Sequence, residues 1–229
     1  MIKEKLNERW FWLARWVCRV FCILFFRLSV QGLENIPKKG AFILVCNHQS
    51  YLDPVLCGIP LKRHLFFLAR DSLFNNWFSG RLLASVNTIP VRRGRADLTA
   101  IKKIIEKLKD GKGVCLFPEG TRTADGKITP FKAGLALLAR RANPDIRISG
   151  STFVGIVPAV IDGAFECWPR HKKIFGPGRI DICYGKVISA EKIKNISDTE
   201  LAERLTRSLR KMQNNCRARQ GKKPYQYDN

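Results

Sequence analysis

The chain has 229 residues, 45% of them hydrophobic, so it can bury a sizeable core and is not disordered along its whole length. Lysine and arginine number 41 against 19 acidic residues, which gives a formal net charge of +22. A surplus of this size predicts a polyanionic partner: nucleic acid, an anionic membrane or a phosphorylated substrate.

The eight cysteines include no CxxC pair, which argues against a zinc site or a disulfide framework. Cys46, Cys115 and Cys183 lie inside apolar runs, where a free cysteine packs as a small core residue. We therefore expect all eight to be reduced thiols in a protein that faces the cytosol.

Residues 10–28 are the most hydrophobic stretch, but Arg15, Arg19 and Arg27 interrupt it. Since each central arginine costs at least about 3 kcal/mol in hydrocarbon, a transmembrane helix is disfavoured. On a helical wheel the arginines share one side, and the other side carries Trp10, Leu13, Val17, Phe21, Leu24 and Leu28. This pattern predicts an amphipathic helix that docks in the membrane interface. A helix whose apolar face packs on the body of the protein is the alternative.

Beyond this helix, short apolar runs alternate with helical patterns. Strands are predicted at 41–46, 65–69, 88–91, 113–117, 153–161 and 179–183, and helices at 96–109, at 131–142 and from Ser197, where Glu200 completes a capping box. Strands separated by helices predict an α/β fold with a mixed, largely parallel central sheet flanked by helices. The expected organisation is a docking helix over 1–28, an α/β domain over 29–216 and a basic, flexible tail over 217–229.

His48 directly follows the first of these strands, and Asp53 lies five residues further on. Sites in α/β proteins assemble where strands end, and a histidine there is suited to general-base catalysis. Asp53 could accept the other ring N–H, fix the tautomer and stabilise the imidazolium. Asp53-Pro54 also matches a helix start with aspartate as the N-cap, a role that is compatible with the first.

The predicted strand 113–117 breaks at a proline and continues with Glu119, Gly120, Thr121 and Arg122. Glycine lets backbone N–H groups approach an anion closely, and arginine offers a planar fork for phosphate. The alternative is a tight turn with an exposed Glu119–Arg122 ion pair, worth under about 1 kcal/mol.

Further cations lie near the predicted strand ends. Arg92 and Arg93 follow the strand at 88–91, although adjacent arginines are equally typical of a solvated surface. Lys132 adds a positive charge at the start of the helix predicted over 131–142.

Taken together and in this order, these blocks resemble the glycerolipid acyltransferase family, specifically the 1-acyl-glycerol-3-phosphate (lysophosphatidate) acyltransferases. The family's NHxxxxD motif matches Asn47, His48 and Asp53, and its FPEGTR motif matches residues 117–122 without a mismatch. Its strand ending in arginine matches 89–93, and a later hydrophobic-proline block matches 156–158.

The resemblance implies transfer of a fatty acyl group from acyl-CoA or acyl-carrier protein to the sn-2 hydroxyl of lysophosphatidate, without a cofactor or a metal. It implies that His48 deprotonates the hydroxyl for direct attack on the thioester and that Asp53 orients His48. The implied glycerol phosphate site comprises Glu119, Gly120 and Arg122 with Arg93 as a second contact, and we add Thr121 and Lys132 as candidate substrate-binding residues.

Some features depart from the family or leave a choice open. The family often has an acidic residue where this chain has Arg92, so either Arg92 or Arg93 carries the phosphate role. Family members have two N-terminal docking helices, whereas one is visible here. Another lysophospholipid or a lyso-aminolipid stays open as the acceptor.

Other classes of protein fit the sequence less well. A nucleic-acid-binding protein is disfavoured because the aromatic residues concentrate in the first 30 and no recognition motif is present. No serine or cysteine lies in a GxSxG elbow, which disfavours a covalent acyl-enzyme. We therefore expect a monotopic enzyme on an anionic membrane surface, with its active site facing the cytoplasm.

Overall fold

A computed structural model describes residues 2–92, 97–132, 138, 153–194 and 196–227. Its described strands form one eight-stranded sheet of order β1-β7-β6-β2-β5-β3-β4, with β8 beside β6. These strands are β1 (Phe26–Gln31), β2 (Ala41–Cys46), β3 (Leu65–Arg70), β4 (Thr88–Val91), β5 (Gly113–Leu116), β6 (Phe153–Asp162), β7 (Gly178–Tyr184) and β8 (Ile188–Ser189). The pairs β6–β7 and β6–β8 are antiparallel and the other pairs are parallel, which confirms the predicted mixed, largely parallel α/β class.

The described helices are α1 (Ile2–Phe25), α2 (Asp53–Gly58), α3 (Trp77–Ser85), α4 (Leu98–Lys109), α5 (Ala164–Cys167), α6 (Ala190–Lys194) and α7 (Asp198–Arg219). Helix α7 begins as predicted, because Ser197 Oγ accepts the Glu200 N–H. Of the helix predicted over 131–142, Leu138 is helical, Phe131 and Lys132 are not, and the other residues lie outside the described part.

The core lies on both faces of the sheet, and β2 contributes to each. All six of its residues are buried. Because side chains alternate along a strand, Ile43 and its neighbours at 41 and 45 pack with α4 and α7, whereas Leu44 and its neighbours at 42 and 46 pack with α1 and α2. This buried central strand fixes the position of the loop that follows it.

The N-terminal helix ends earlier than predicted and packs differently. It ends at Phe25, and Phe26–Gln31 forms β1, which pairs with β7, so the predicted boundary at residue 28 is wrong. Arg15, predicted on the polar side of this helix, faces the body of the protein and donates two hydrogen bonds to the Ile59 carbonyl oxygen at 2.7 and 3.2 Å. None of the described helices has the length and apolar character that a membrane span requires.

The C-terminal residues also differ from the flexible tail predicted over 217–229. Helix α7 continues to Arg219, and the described residues after it pack back along the helix. The Tyr225 N–H donates to Asn214 Oδ1 at 2.8 Å, and the Arg217 guanidinium lies 3.7 Å from the centre of the Tyr225 ring. The α/β domain therefore extends from residue 26 to at least Tyr227.

Candidate active site

The predicted catalytic residues come together at one edge of the sheet. Strands β2, β5, β3 and β4 are adjacent and parallel, so their carboxyl ends share this edge. His48 follows β2, residues 117–132 (the motif loop) follow β5, Arg70 ends β3 and Arg92 follows β4. The edge thus gathers groups that are far apart along the chain.

His48 and Asp53 form a hydrogen-bonded pair. His48 Nδ1 lies 2.7 Å from Asp53 Oδ2; the aspartate side chain is fully buried, and 19% of the histidine side chain is exposed. The same carboxylate oxygen accepts the backbone N–H groups of Gln49 at 2.5 Å and Ser50 at 2.7 Å. An ionised carboxylate can only accept, so in the neutral imidazole Nδ1 carries the proton toward Asp53 and Nε2 keeps its lone pair.

The N-cap role considered for Asp53 is not observed. Leu52 precedes α2, no side chain caps the helix, and a proline lies in its first turn. The Asp53 carboxylate turns back to residues 48–50 instead. The carboxylate therefore orients His48 and the loop at residues 48–50, and α2 holds Asp53 in place.

The imidazole is also fixed by the motif loop. Its ring stacks on Phe117, with centroids 4.3 Å apart and planes at 24°. The His48 carbonyl oxygen accepts the Thr123 N–H at 2.9 Å. Ring and backbone are both held, which is the preorganisation that a general base needs.

Glu119 contacts the backbone of His48. Its Oε1 accepts the His48 N–H at 2.7 Å, and its Oε2 accepts the Thr129 N–H at 3.0 Å and the Thr129 hydroxyl at 2.9 Å. Burial raises the pKa of Glu119, although these hydrogen bonds favour its ionised form. Both oxygens accept hydrogen bonds from the chain, so the structure gives Glu119 a positioning role, and its predicted contact with phosphate stays a prediction.

His48 lines a cleft of about 660 Å³ at this edge. The described walls are mainly apolar, and their cationic side chains are Arg70 and Lys132. Arg70 was absent from the sequence-based site; the signal for it was a cation at the end of the strand predicted at 65–69. The cleft combines a base, positive charge and apolar surface.

Gly120 and Thr121 also line this cleft, and Gly120 makes room for Lys132. Gly120 has φ +71°, and a Cβ at this position would lie 3.0 Å from Lys132 Nζ. A side chain here would be strained by its backbone conformation and would crowd the lysine.

The remaining predicted cations lie elsewhere or outside the described chain. Arg122 is not among the described residues that line the cleft; its guanidinium lies 3.6 Å from the centre of the Tyr51 ring. Arg93 lies outside the described residues. Arg92 is exposed, and its N–H donates to Asp97 Oδ2 at 2.9 Å.

All eight cysteines are free thiols, as the spacing predicted. Cys46, Cys57 and Cys115 are buried together under the His48 loop, and burial raises the pKa of the Cys46 and Cys115 thiols well above the ordinary value. They pack as core residues.

A sequence model of the acyltransferase family matches residues 27–162, more than half of the chain. The chain belongs to the acyltransferase family.

Two proteins with similar sequences are acyltransferases by name. The 1-acyl-sn-glycerol-3-phosphate acyltransferase of Bacillus subtilis is 26% identical over 80% of this chain and 84% of its own length. The chloroplastic 1-acyl-sn-glycerol-3-phosphate acyltransferase LPAT1 of Arabidopsis thaliana is 28% identical over 73% of this chain and 45% of the relative, so the chain spans about half the length of that relative.

The crystal structure of the 1-acyl-sn-glycerophosphate (LPA) acyltransferase PlsC from Thermotoga maritima has the same fold. The two match with a TM-score of 0.75 at 27% identity, over 94% of this chain and 84% of the other.

Proposed function

We propose that the chain transfers a fatty acyl group from acyl-CoA or acyl-carrier protein to the sn-2 hydroxyl of lysophosphatidate, which gives phosphatidate. One observation carries the proposal: His48, paired with the buried Asp53, lies in the wall of a cleft that also holds Arg70 and Lys132. The reactions stated in the names of the relatives support the same acceptor.

In the proposed mechanism, His48 Nε2 takes the proton of the acceptor hydroxyl while Nδ1–H donates to Asp53. The hydroxyl oxygen bonds to the thioester carbonyl carbon and forms a tetrahedral intermediate. When the carbon–sulfur bond breaks, the thiolate leaves and takes the proton from the imidazolium. Every proton is thus returned, and the reaction needs no covalent acyl-enzyme, resident cofactor or metal.

The cations at the strand ends are proposed to bind the acceptor phosphate. Lys132 and Arg70 lie in the cleft wall, and backbone and side-chain groups of Gly120 and Thr121 lie beside them. We place Arg122 and Arg93 in the same role from the resemblance. The apolar part of the cleft wall is proposed to contact the acyl chains, because these gain by leaving water.

Lys132→Met and Arg70→Met are each expected to raise KM for lysophosphatidate about 10-fold, because each removes a charge-assisted hydrogen bond to phosphate. The KM for the acyl donor should stay within about twofold, since that substrate would not meet the same charges. Lys102→Met on the exposed side of α4 is the matched control.

The acceptor assay should include lysophosphatidylcholine, a lyso-aminolipid and monoacylglycerol beside lysophosphatidate. Lysophosphatidate is expected to react fastest. In Lys132→Met and Arg70→Met, the ratio of the rate with lysophosphatidate to the rate with monoacylglycerol should fall. A faster reaction with another lysolipid would replace the proposed acceptor, and equal KM increases for both substrates would contradict the phosphate role.

We further propose that α1 docks the enzyme on the anionic cytoplasmic surface of a membrane, with the active site facing the cytoplasm. The helix buries Cys22 and leaves large apolar side chains in solvent: Trp10, Trp12, Leu13, Trp16, Val17, Ile23, Leu24 and Phe25. An exposed apolar patch of this size is typical of an interaction site, and tryptophan favours the interface. Exposed Arg9 and Arg19 on the same helix suit anionic headgroups.

The double substitution Trp16→Gln and Leu24→Gln is expected to reduce binding to vesicles that contain phosphatidylglycerol by at least about 10-fold, because it removes two large apolar groups from the contact. Vesicle co-sedimentation measures this. Leu98→Gln, at an exposed leucine of α4, is the control and should bind normally. Unchanged binding of the double variant would place the membrane contact elsewhere.

A further inference from the structure

The motif loop carries the groups that hold His48, but it contains no helix or strand among its described residues. Three of its contacts reach the histidine loop: Glu119 accepts from the His48 N–H, the Thr123 N–H donates to the His48 carbonyl oxygen, and the Gly126 carbonyl oxygen accepts from Gln49 Nε2 at 2.7 Å. Whatever fixes the motif loop therefore fixes the histidine.

One face of α7 makes the contacts that hold this loop. Thr206 Oγ1 accepts the Phe131 N–H at 3.1 Å, Arg210 Nε donates to the Ile128 carbonyl oxygen at 3.2 Å, and Gln213 Nε2 donates to the Gly126 carbonyl oxygen at 2.9 Å. The three donors and acceptors are spaced by four and three residues, so they share one side of the helix. They lie outside the residues 27–162 that match the family.

Gln213 is the centre of this contact. Its side chain is completely buried, and the Gly126 carbonyl oxygen accepts from it and from Gln49, which is adjacent to His48. The second amide hydrogen faces Asp162 Oδ1, with 3.3 Å between nitrogen and oxygen. The amide oxygen accepts from the Tyr227 hydroxyl, so both donors and the acceptor of the amide are used.

The C-terminal residues complete the contact. The Tyr227 hydroxyl, which donates to Gln213 Oε1, accepts the Ile128 N–H at 3.2 Å. Tyr225 packs so closely on Gly126 that a Cβ there would lie 2.3 Å from the tyrosine oxygen. Gly126 has φ +87°, a conformation that favours glycine. Because the residue has no side chain, Tyr225 can pack directly against the motif loop.

We propose that Gln213, oriented by Tyr227, is a positioning residue for the catalytic histidine, and that α7 and the C-terminal residues brace the motif loop. The inference rests on the proposed function, because the orientation of His48 matters for acyl transfer. It gives the basic C-terminus a role in turnover that is distinct from binding the substrate.

The test compares Gln213→Met, which keeps the length and loses the amide, with Leu209→Ala, which opens a cavity at a buried position of the same helix. Gln213→Met is expected to lower kcat about 10- to 100-fold and to leave KM for lysophosphatidate within about twofold, because a small misplacement of the base affects the reaction more than binding. Leu209→Ala should lose stability and keep kcat, measured at a temperature at which both variants are folded.

A readout without substrate separates this inference from the proposed function. The chain has three histidines, so ¹⁵N NMR can resolve the His48 ring. The Nδ1–H signal of His48 should shift in Gln213→Met and in Tyr227→Phe, and should stay unchanged in Leu209→Ala. If the wild-type chain transfers no acyl group, the proposed function fails. The NMR comparison still tests whether Gln213 and Tyr227 orient the His48 ring.

Tyr227→Phe removes one hydroxyl and keeps the ring, so it carries the same readouts if Gln213→Met does not fold. Equal losses of kcat in Gln213→Met and Leu209→Ala would show that Gln213 only stabilises the fold and does not position His48. Wild-type kcat together with an unshifted His48 signal in Gln213→Met or Tyr227→Phe would overturn the proposal.

Discussion

His48→Ala is expected to lower kcat by about 100- to 10,000-fold, the range in which a positioned general base contributes. The substitution removes Nε2, the group proposed to take the acceptor proton, and leaves the cleft otherwise intact. Initial rates of phosphatidate formation at saturating substrates measure the loss.

The variant should remain folded, because the backbone contacts of His48 with Glu119 and Thr123 do not involve the imidazole. His171→Ala is the matched control, since His171 is exposed and lies outside the cleft wall. Circular dichroism checks the fold of both variants. A folded His48→Ala enzyme with near-normal kcat would remove imidazole from the mechanism.

Asp53→Asn is expected to lower kcat by about 1,000- to 10,000-fold, by analogy with the same change in a serine protease triad. An amide carries no charge to stabilise the imidazolium, and its NH₂ group would favour the wrong tautomer of His48. The KM for lysophosphatidate should change little, because the buried carboxylate faces the histidine and not the cleft.

Asp110→Asn, at the exposed end of α4, is the control for a loss of negative charge. The pair of enzymes is compared by steady-state kinetics, with thermal unfolding as the check on stability. If Asp53→Asn keeps kcat within about 10-fold of the wild type, the aspartate would only shape the loop, and the histidine would act without its support.

The position of the site could be predicted because it depends on a rule of topology. The apolar runs at 41–46 and 113–116 are strands. Each is followed within a few residues by a polar side chain that suits a functional site. Since the strands are parallel neighbours, His48 and Glu119 had to meet at one edge. Local sequence patterns were therefore enough to predict where the site lies.

The roles of the carboxylates could not be predicted, because they depend on which donors face them. The Asp53-Pro54 sequence is typical of a helix cap, but Asp53 is the first residue of α2 and its Oδ2 faces residues 48–50. Glu119 lies in a phosphate-binding pattern, but its oxygens face His48 and Thr129. No spacing along the chain contains this information.

The two ends of the domain were missed for a related reason. Residues 26–31 continue an apolar helical pattern, and their partner β7 lies about 150 residues away in the chain, where no local signal shows the pairing. The C-terminal segment is polar and basic, which is typical of a solvated tail, but Tyr225 and Tyr227 pack on cationic side chains of α7.

The most direct measurement follows isotopically labelled acyl groups from acyl-CoA in acid-quenched reactions of the purified wild-type and His48→Ala chains with lysophosphatidate. We expect label at the sn-2 position of phosphatidate with the wild type, no label on the protein at any time, and only background product with His48→Ala. Label that appears on the protein before it appears in phosphatidate, or equal rates with both chains, would contradict direct transfer by His48.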